Sequence, residues 1–243
     1  MSAPLRGISS MATRQLLAEL AAMWQHSGGV PISIESVGGV DAARRVQAGE
    51  GEAFDLVFLA SDAIDKLIAA GHLLAGSKVD LVHSSVAVAV RAGAQQPDLS
   101  TSDAVRRAVL AAPSVGYSTG PSGTALLKLF DRWGIAPQMQ SRLVQAPAGT
   151  PVGTLVAQGD VALGFQQLSE LMHLPGIDIA GQLPPDIQIT TTFSGGIAAG
   201  SARTDDARRV LHFMGSGQAD AAKRRQGMVP AGEPNTSIQE TTA

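Results

Sequence analysis

The sequence predicts an α/β fold, and three observations carry that reading. Short apolar runs alternate with amphipathic stretches from end to end, the rhythm of strand, helix and strand units. Hydroxyl-bearing and glycine residues recur where an apolar run stops and an amphipathic one starts. The chain has 243 residues, 44% of them hydrophobic, yet no linker rich in Pro, Gly or Ser divides it. At about 100 to 200 residues per domain, two lobes fit, and the missing linker implies that they are interleaved. Lobe one is expected over 1–84 and 191–243 and lobe two over 85–190, with crossovers near His83 to Val86 and Ile189 to Phe193.

Leu5 to Ser9 reads as a strand, and Met11 to Gln25 as a helix with Leu16, Leu17, Leu20 and Met23 on one face, capped by Ser9 or Ser10. Ile32 to Ser36 is a second strand; Gly38 and Gly39 turn the chain into a helix from Val40 to Ala48. Leu56 to Ala60 is a continuous apolar run of buried-strand type, followed by a helix capped by Ser61-Asp62 that stops near Gly71. Val82 to Arg91 opens a second block of the same kind. Thr101-Ser102-Asp103 starts a helix, Ser114 to Tyr117 is a short strand, and the hydroxyl-rich loop from Tyr117 to Thr124 enters a helix carrying Leu126, Leu127 and Phe130. Pro151 to Gln158 is helical, Val161 to Phe165 a strand, and Gln166-Gln167 leads into another helix. Ile187 to Thr192 is a late strand, Asp205 to Met214 a late helix, and the polar stretch beyond Pro230 a loosely held tail.

Composition excludes several functions. A net charge of -3, scattered Lys and Arg, and one Tyr with two Trp leave no basic stacking surface for nucleic acid. No apolar run approaches the roughly 20 residues of a membrane span, so no membrane insertion is expected. Without Cys there is no thiolate nucleophile and no Cys-based zinc site. His26, His72, His83, His173 and His212 lie far apart, so no metal site is expected. Gly120 to Gly123 is not followed by Lys and no G-x-G-x-x-G opens a helix, which disfavours nucleotides; no cofactor is expected. The opening residues lack the basic, apolar and small-residue segments of a secretory signal. The location expected from the sequence as it stands is cytoplasmic, or periplasmic if a signal has been processed away.

The positional pattern points to ligand binding. In open α/β sheets, ligands sit outside the carboxyl ends of the strands, where helix N-termini present unpaired N–H groups suited to anions. The residues at such places are Ser9, Ser10, Gly38, Gly39, Ser61, Ser118, Thr119, Ser122, Gly123, Gly149, Thr150, Gln166 and Gln167. Ser, Thr and Gly are also ordinary cap and turn residues; the recurrence of such loops in both halves favours the ligand reading. Arg44-Arg45 and Lys223-Arg224-Arg225 read as solvated helix faces.

The order of motifs then becomes recognisable. Strand-Ser9-Ser10-helix, Ser36-x-Gly38-Gly39-helix, and the run Phe54 to Asp62 followed by Ile64-Asp65-Lys66-Leu67 resemble the type 2 periplasmic solute-binding proteins, in particular their molybdate-binding branch. Gly116 to Gly123 and Gly149 to Gln167 match the same family, so that the resemblance covers about Leu5 to Pro230. It implies a two-lobed fold, each lobe a mixed sheet flanked by helices, with a small anionic ligand in an interlobe cleft. Oxyanion contacts would fall near Ser9 or Ser10, Ser36 to Gly39, Ser122, Gly149 and Gln167. The molybdate binders usually carry Tyr where this chain has Gln167, and their loop has fewer hydroxyls than Ser118 to Ser122; both departures point to a larger ligand, a di- or tricarboxylate. Tyr117 to Gly123 with Gly164 to Leu171 is most similar to a sub-branch that includes aconitate isomerase.

Two functions follow from the resemblance. One is isomerisation of a small unsaturated polycarboxylate by allylic proton transfer. The alternative is non-catalytic binding of an oxyanion or organic acid, as a transporter receptor partnered by a permease or as a cytoplasmic sensor. Proton transfer requires a group of tuned pKa near the substrate. Glu35, His83 and Tyr117 are the titratable residues offered at strand-end or crossover positions, with Asp62 read as a helix cap, and no single catalytic residue is singled out.

Overall fold

The computed structural model describes residues 3–49 and 54–233. Met1 and Ser2, and the expected tail from residue 234 onward, lie outside the described residues. In chain order the elements are β1 (Leu5–Ser10), α1 (Arg14–His26), β2 (Ile32–Val37), α2 (Gly39–Gln47), β3 (Leu56–Ala60), α3 (Ser61–Ala69), β4 (Val79–Arg91), α4 (Ser102–Ala111), β5 (Val115–Tyr117) and α5 (Pro121–Arg132). There follow α6 (Ala136–Met139), β6 (Leu143–Gln145), α7 (Val152–Gln158), β7 (Leu163–Gln167), α8 (Leu168–Leu171), β8 (Ile177–Gln182), β9 (Thr190–Ile197), α9 (Thr204–Gly215), α10 (Asp220–Arg225) and β10 (Met228–Pro230). The chain forms two compact units: one runs to His83 and resumes at Thr192, the other spans Ser84–Thr191.

Unit one is built on a mixed sheet. β1 pairs in parallel with β2 and with β3, and β3 pairs antiparallel with β9. The uninterrupted apolar run of β3 follows from cover on both faces. Leu56, Phe58 and Ala60 join a cluster with Leu16, Leu17 and Leu20 of α1 and Val210, Leu211 and Met214 of α9. Val57 and Leu59 join another with Ala42 and Val46 of α2 and Ile64 and Leu67 of α3. Trp24 stacks obliquely on Phe213 with ring centres 5.4 Å apart.

Unit two repeats the plan. β5 pairs in parallel with β6 and β7, while β4 pairs antiparallel with β7 and β8. Val86, Val88 and Val90 of β4 face a core shared with Val105 and Val109 of α4 and Leu126, Leu129 and Phe130 of α5. Ala87 and Ala89 face the other way, toward Leu171, Ile177 and Ile179. The small faces matter here: a Cβ on Gly164 would lie 2.6 Å from Val156 of α7, so glycine lets that helix seat directly on β7.

The structure corrects several local expectations. Neither Ser9 nor Ser10 caps α1: a single 3-10 turn, Met11–Thr13, intervenes, and the Ser10 side chain makes no cap bond. Ser61-Asp62 does not cap α3 either, because Ser61 already lies inside the helix after Ala60. Gln166 and Gln167 extend β7 two residues beyond the expected strand end and lead, as expected, into a helix, which is only one turn long with Gln167 as its N-cap. The late strand starts at Thr190, since Pro185–Ile187 forms a 3-10 turn. Two charged pairs are not simply solvated. Lys223 is 1% exposed and its ammonium lies 3.1 Å from Asp220; Arg45 donates twice to Glu35, at 2.6 and 3.2 Å, with its guanidinium over the Phe54 ring.

Candidate functional site

In unit one the carboxyl ends of the three parallel strands carry the predicted hydroxyls. The β1–β2 register sets Ser9 beside Ser36, and their hydroxyls hydrogen-bond at 2.7 Å. Ser10 is buried and its hydroxyl has no partner. Gly39, the first residue of α2, lies where a Cβ would come within 3.4 Å of the Ser10 Cβ, so that Ser10 and the N-terminus of α2 are neighbours. Gly38 is the N-cap of α2 and Ser61 opens α3; neither helix has a side chain capping its first N–H groups. By contrast α4 is capped, with the Thr101 hydroxyl accepting from Ala104 N at 3.1 Å. The open start of α2 beside the unpaired Ser10 hydroxyl suits an anionic oxygen.

Unit two presents a matching set. Tyr117 ends β5, and the Ser118 hydroxyl lies 3.1 Å from that of Ser122 in the first turn of α5. Gly123 is required by this loop, because a Cβ there would fall 1.9 Å from the Ser118 carbonyl oxygen. Thr119, the next residue of the loop, is exposed. Gly149 turns the chain with φ 78°, and Thr150 N donates to Pro147 O at 2.9 Å, which places both in the turn before α7. Gln166 is engaged at both ends: its Oε1 accepts from Val152 N at 2.7 Å and its Nε2 donates to Glu170 at 2.7 Å. Gln167, on the other face of β7, donates from Nε2 to the Thr191 hydroxyl at 2.9 Å.

The titratable candidates separate clearly. The Arg45 hydrogen bonds hold the Glu35 carboxyl below the usual carboxylate range, so it stays ionised and paired. His83 places Nδ1 2.9 Å from the Thr192 hydroxyl, and Tyr117 is half-buried against the apolar core of unit two. The group that sequence reasoning missed is Glu170. Glu170 is half-buried, and burial pushes its carboxyl up to about 7 against the opposing hydrogen bond from Gln166. An acid set between Leu168 and Leu171, directly after the Gln pair, was the available signal. Among the described residues no three His, Cys, Asp or Glu side chains gather as metal ligands, and no helix is long and apolar enough to cross a membrane.

Residues 5–229 match the model of the bacterial extracellular solute-binding protein family. The chain belongs to that family. An aconitate isomerase from Pseudomonas sp is 37% identical over 227 residues, covering 92% of this chain and 86% of that protein. The Azotobacter vinelandii periplasmic molybdate-binding protein has the same fold, with a TM-score of 0.76 at 21% identity over 93% of this chain and 98% of its own. A tungstate ABC transporter protein from Geobacter sulfurreducens gives 0.72 at 14% identity over 90% and 97%. The family is one of solute binders, and the uncharged, donor-rich strand ends of this member suit a small anionic ligand.

Proposed function

We propose that this chain is an isomerase of a small unsaturated di- or tricarboxylate of the aconitate type. The observation that carries the reading is the 37% identity with an aconitate isomerase across 92% of the chain. The reaction is an allylic proton transfer. A base takes a proton from the carbon next to a carboxylate, the electrons move through the three-carbon unit as an enediolate, and a proton returns at the far carbon; nothing is oxidised or reduced. Hydroxyl donors and open helix N-termini favour the charge that develops on the carboxylate oxygens. Each unit carries such donors by itself: Ser9, Ser10 and the start of α2 in unit one, and Ser118 and Ser122 in unit two.

Glu170 is better suited to proton transfer than Glu35, because it accepts from Gln166 Nε2 while Gln166 Oε1 accepts from Val152 N, the first residue of α7 after the Gly149–Thr150 turn. A carboxyl raised to about 7 exchanges protons at neutral pH, whereas one held by an arginine stays ionised. Solute binding without turnover is the second reading, favoured by the family's membership and by the transport proteins that share the fold. Incubating the protein with trans-aconitate and following cis-aconitate by chromatography and absorbance, beside thermal-shift binding, separates the two. Turnover supports the isomerase; binding alone supports a receptor or sensor; neither removes the polycarboxylate reading.

A further inference from the structure

Unit two contains buried polar atoms that the reaction as drawn leaves unused. Ser84 is 0% exposed and its hydroxyl has no hydrogen-bond partner; Gln167 is 2% exposed and its Oε1 has none. Folded proteins leave few buried polar groups unpaired, and each such group points to an occupant, a ligand or an ordered water. Strand register brings these two together. β4 and β7 pair antiparallel with Val86 opposite Gln167, so Ser84 lies diagonally from Gln167 on one face of the sheet, within reach of a long side chain. β9 is the other neighbour of β4. Val86 N donates to Ile189 O, and His83 lies against Thr192, so partners descend along β9 as β4 ascends, which sets Ser84 opposite Thr191. Thr191, 9% exposed, accepts from Gln167 Nε2.

The geometry points to a carboxylate-binding subsite made by Ser84, Gln167 and Thr191, which takes one carboxyl group of the polycarboxylate; this rests on the function proposed above. Ser84 donates to one carboxylate oxygen. A hydroxyl both donates and accepts, so turning the Gln167 amide over lets Thr191 donate to Oε1 and frees Nε2 for the second oxygen. All three groups are neutral. The subsite therefore recognises a carboxylate by hydrogen-bond count and fit, without a fixed countercharge.

The test is the affinity for trans-aconitate, by calorimetry, of the wild type, Ser84→Ala and Gln167→Glu, with the ligand-free Tm of each. Ser84→Ala removes a hydroxyl that has no partner, so its ligand-free Tm is expected to hold or rise while Kd weakens about 10- to 100-fold. Gln167→Glu places a carboxylate against the bound one and is expected to weaken binding further. Unchanged affinity in Ser84→Ala, or an affinity loss matched by a lowered ligand-free Tm, overturns the subsite and assigns the hydroxyl to a structural water. A wild type that does not bind trans-aconitate removes the functional reading and this subsite's ligand with it; a wild type that binds while Ser84→Ala binds equally removes the subsite alone.

Discussion

Replacing Glu170 with Gln tests the environment of the buried carboxyl without changing its shape. In the unfolded chain this group loses its proton near 4.5, and in the folded protein only at about 7. Between those values the folded state holds the extra proton, so stability falls as pH rises through the window, and the full cost is present above it. Going from pH 5 to pH 8, the two titrations together cost the wild type about 2.5 kcal/mol. Glu170→Gln keeps an oxygen for the Gln166 amide and carries no charge, so it escapes that cost. Urea unfolding at pH 5 and pH 8 measures it: relative to the wild type, the variant is expected to gain about 2.5 kcal/mol at the higher pH, a midpoint shift of about 1 M. An equal difference between the two proteins at both pH values would refute the reasoning. If Glu170 also moves the proton, the variant loses turnover while retaining trans-aconitate affinity.

Three further outcomes are expected. Asp220→Ala leaves the Lys223 ammonium buried without its carboxylate and should cost about 3 kcal/mol in urea unfolding, whereas Lys223→Met should stay within about 1 kcal/mol of the wild type. Gly123→Ala drives a methyl into the Ser118 carbonyl, so about 1–3 kcal/mol of stability should be lost together with ligand affinity, read by thermal shift with and without trans-aconitate. Arg45→Ala removes the two hydrogen bonds that keep Glu35 ionised, and NMR titration should show the Glu35 carboxyl moving up toward its ordinary value.

The α/β class and most strands were readable because burial writes itself into periodicity. The run Leu56 to Ala60 is apolar at every position since helices cover both sides of it. Elements whose exposure is mixed were harder to see: β8 alternates Ile177, Asp178 and Ile179 and escaped notice, although that alternation was its signal. The hydroxyls at the strand ends were readable from position, but their caps were not, because the choice between capping a helix and bonding a neighbouring strand is made by tertiary register, as Ser9 with Ser36 shows. Lys223 was misread for a similar reason: a charge run says nothing about which member turns inward to Asp220. Glu170 and Ser84 depend wholly on fold. Neither is unusual in sequence; only the mass of protein around one, and the pairing of β4 with β7 and β9 around the other, give them meaning.

The division of unit one by the whole of unit two has a consequence for biosynthesis. The segments up to His83 emerge from the ribosome with β3 lacking its neighbour β9, and with Leu56 and Phe58 lacking the wall that Val210, Leu211 and Met214 of α9 provide. At about 5–20 residues per second, translating the intervening unit takes on the order of 5–20 s. Unit two, contiguous from Ser84 to Thr191, has all of its partners first. The nascent N-terminal segment therefore waits with an apolar sheet face and an unpaired strand edge, which makes it the part of this chain most in need of chaperone protection.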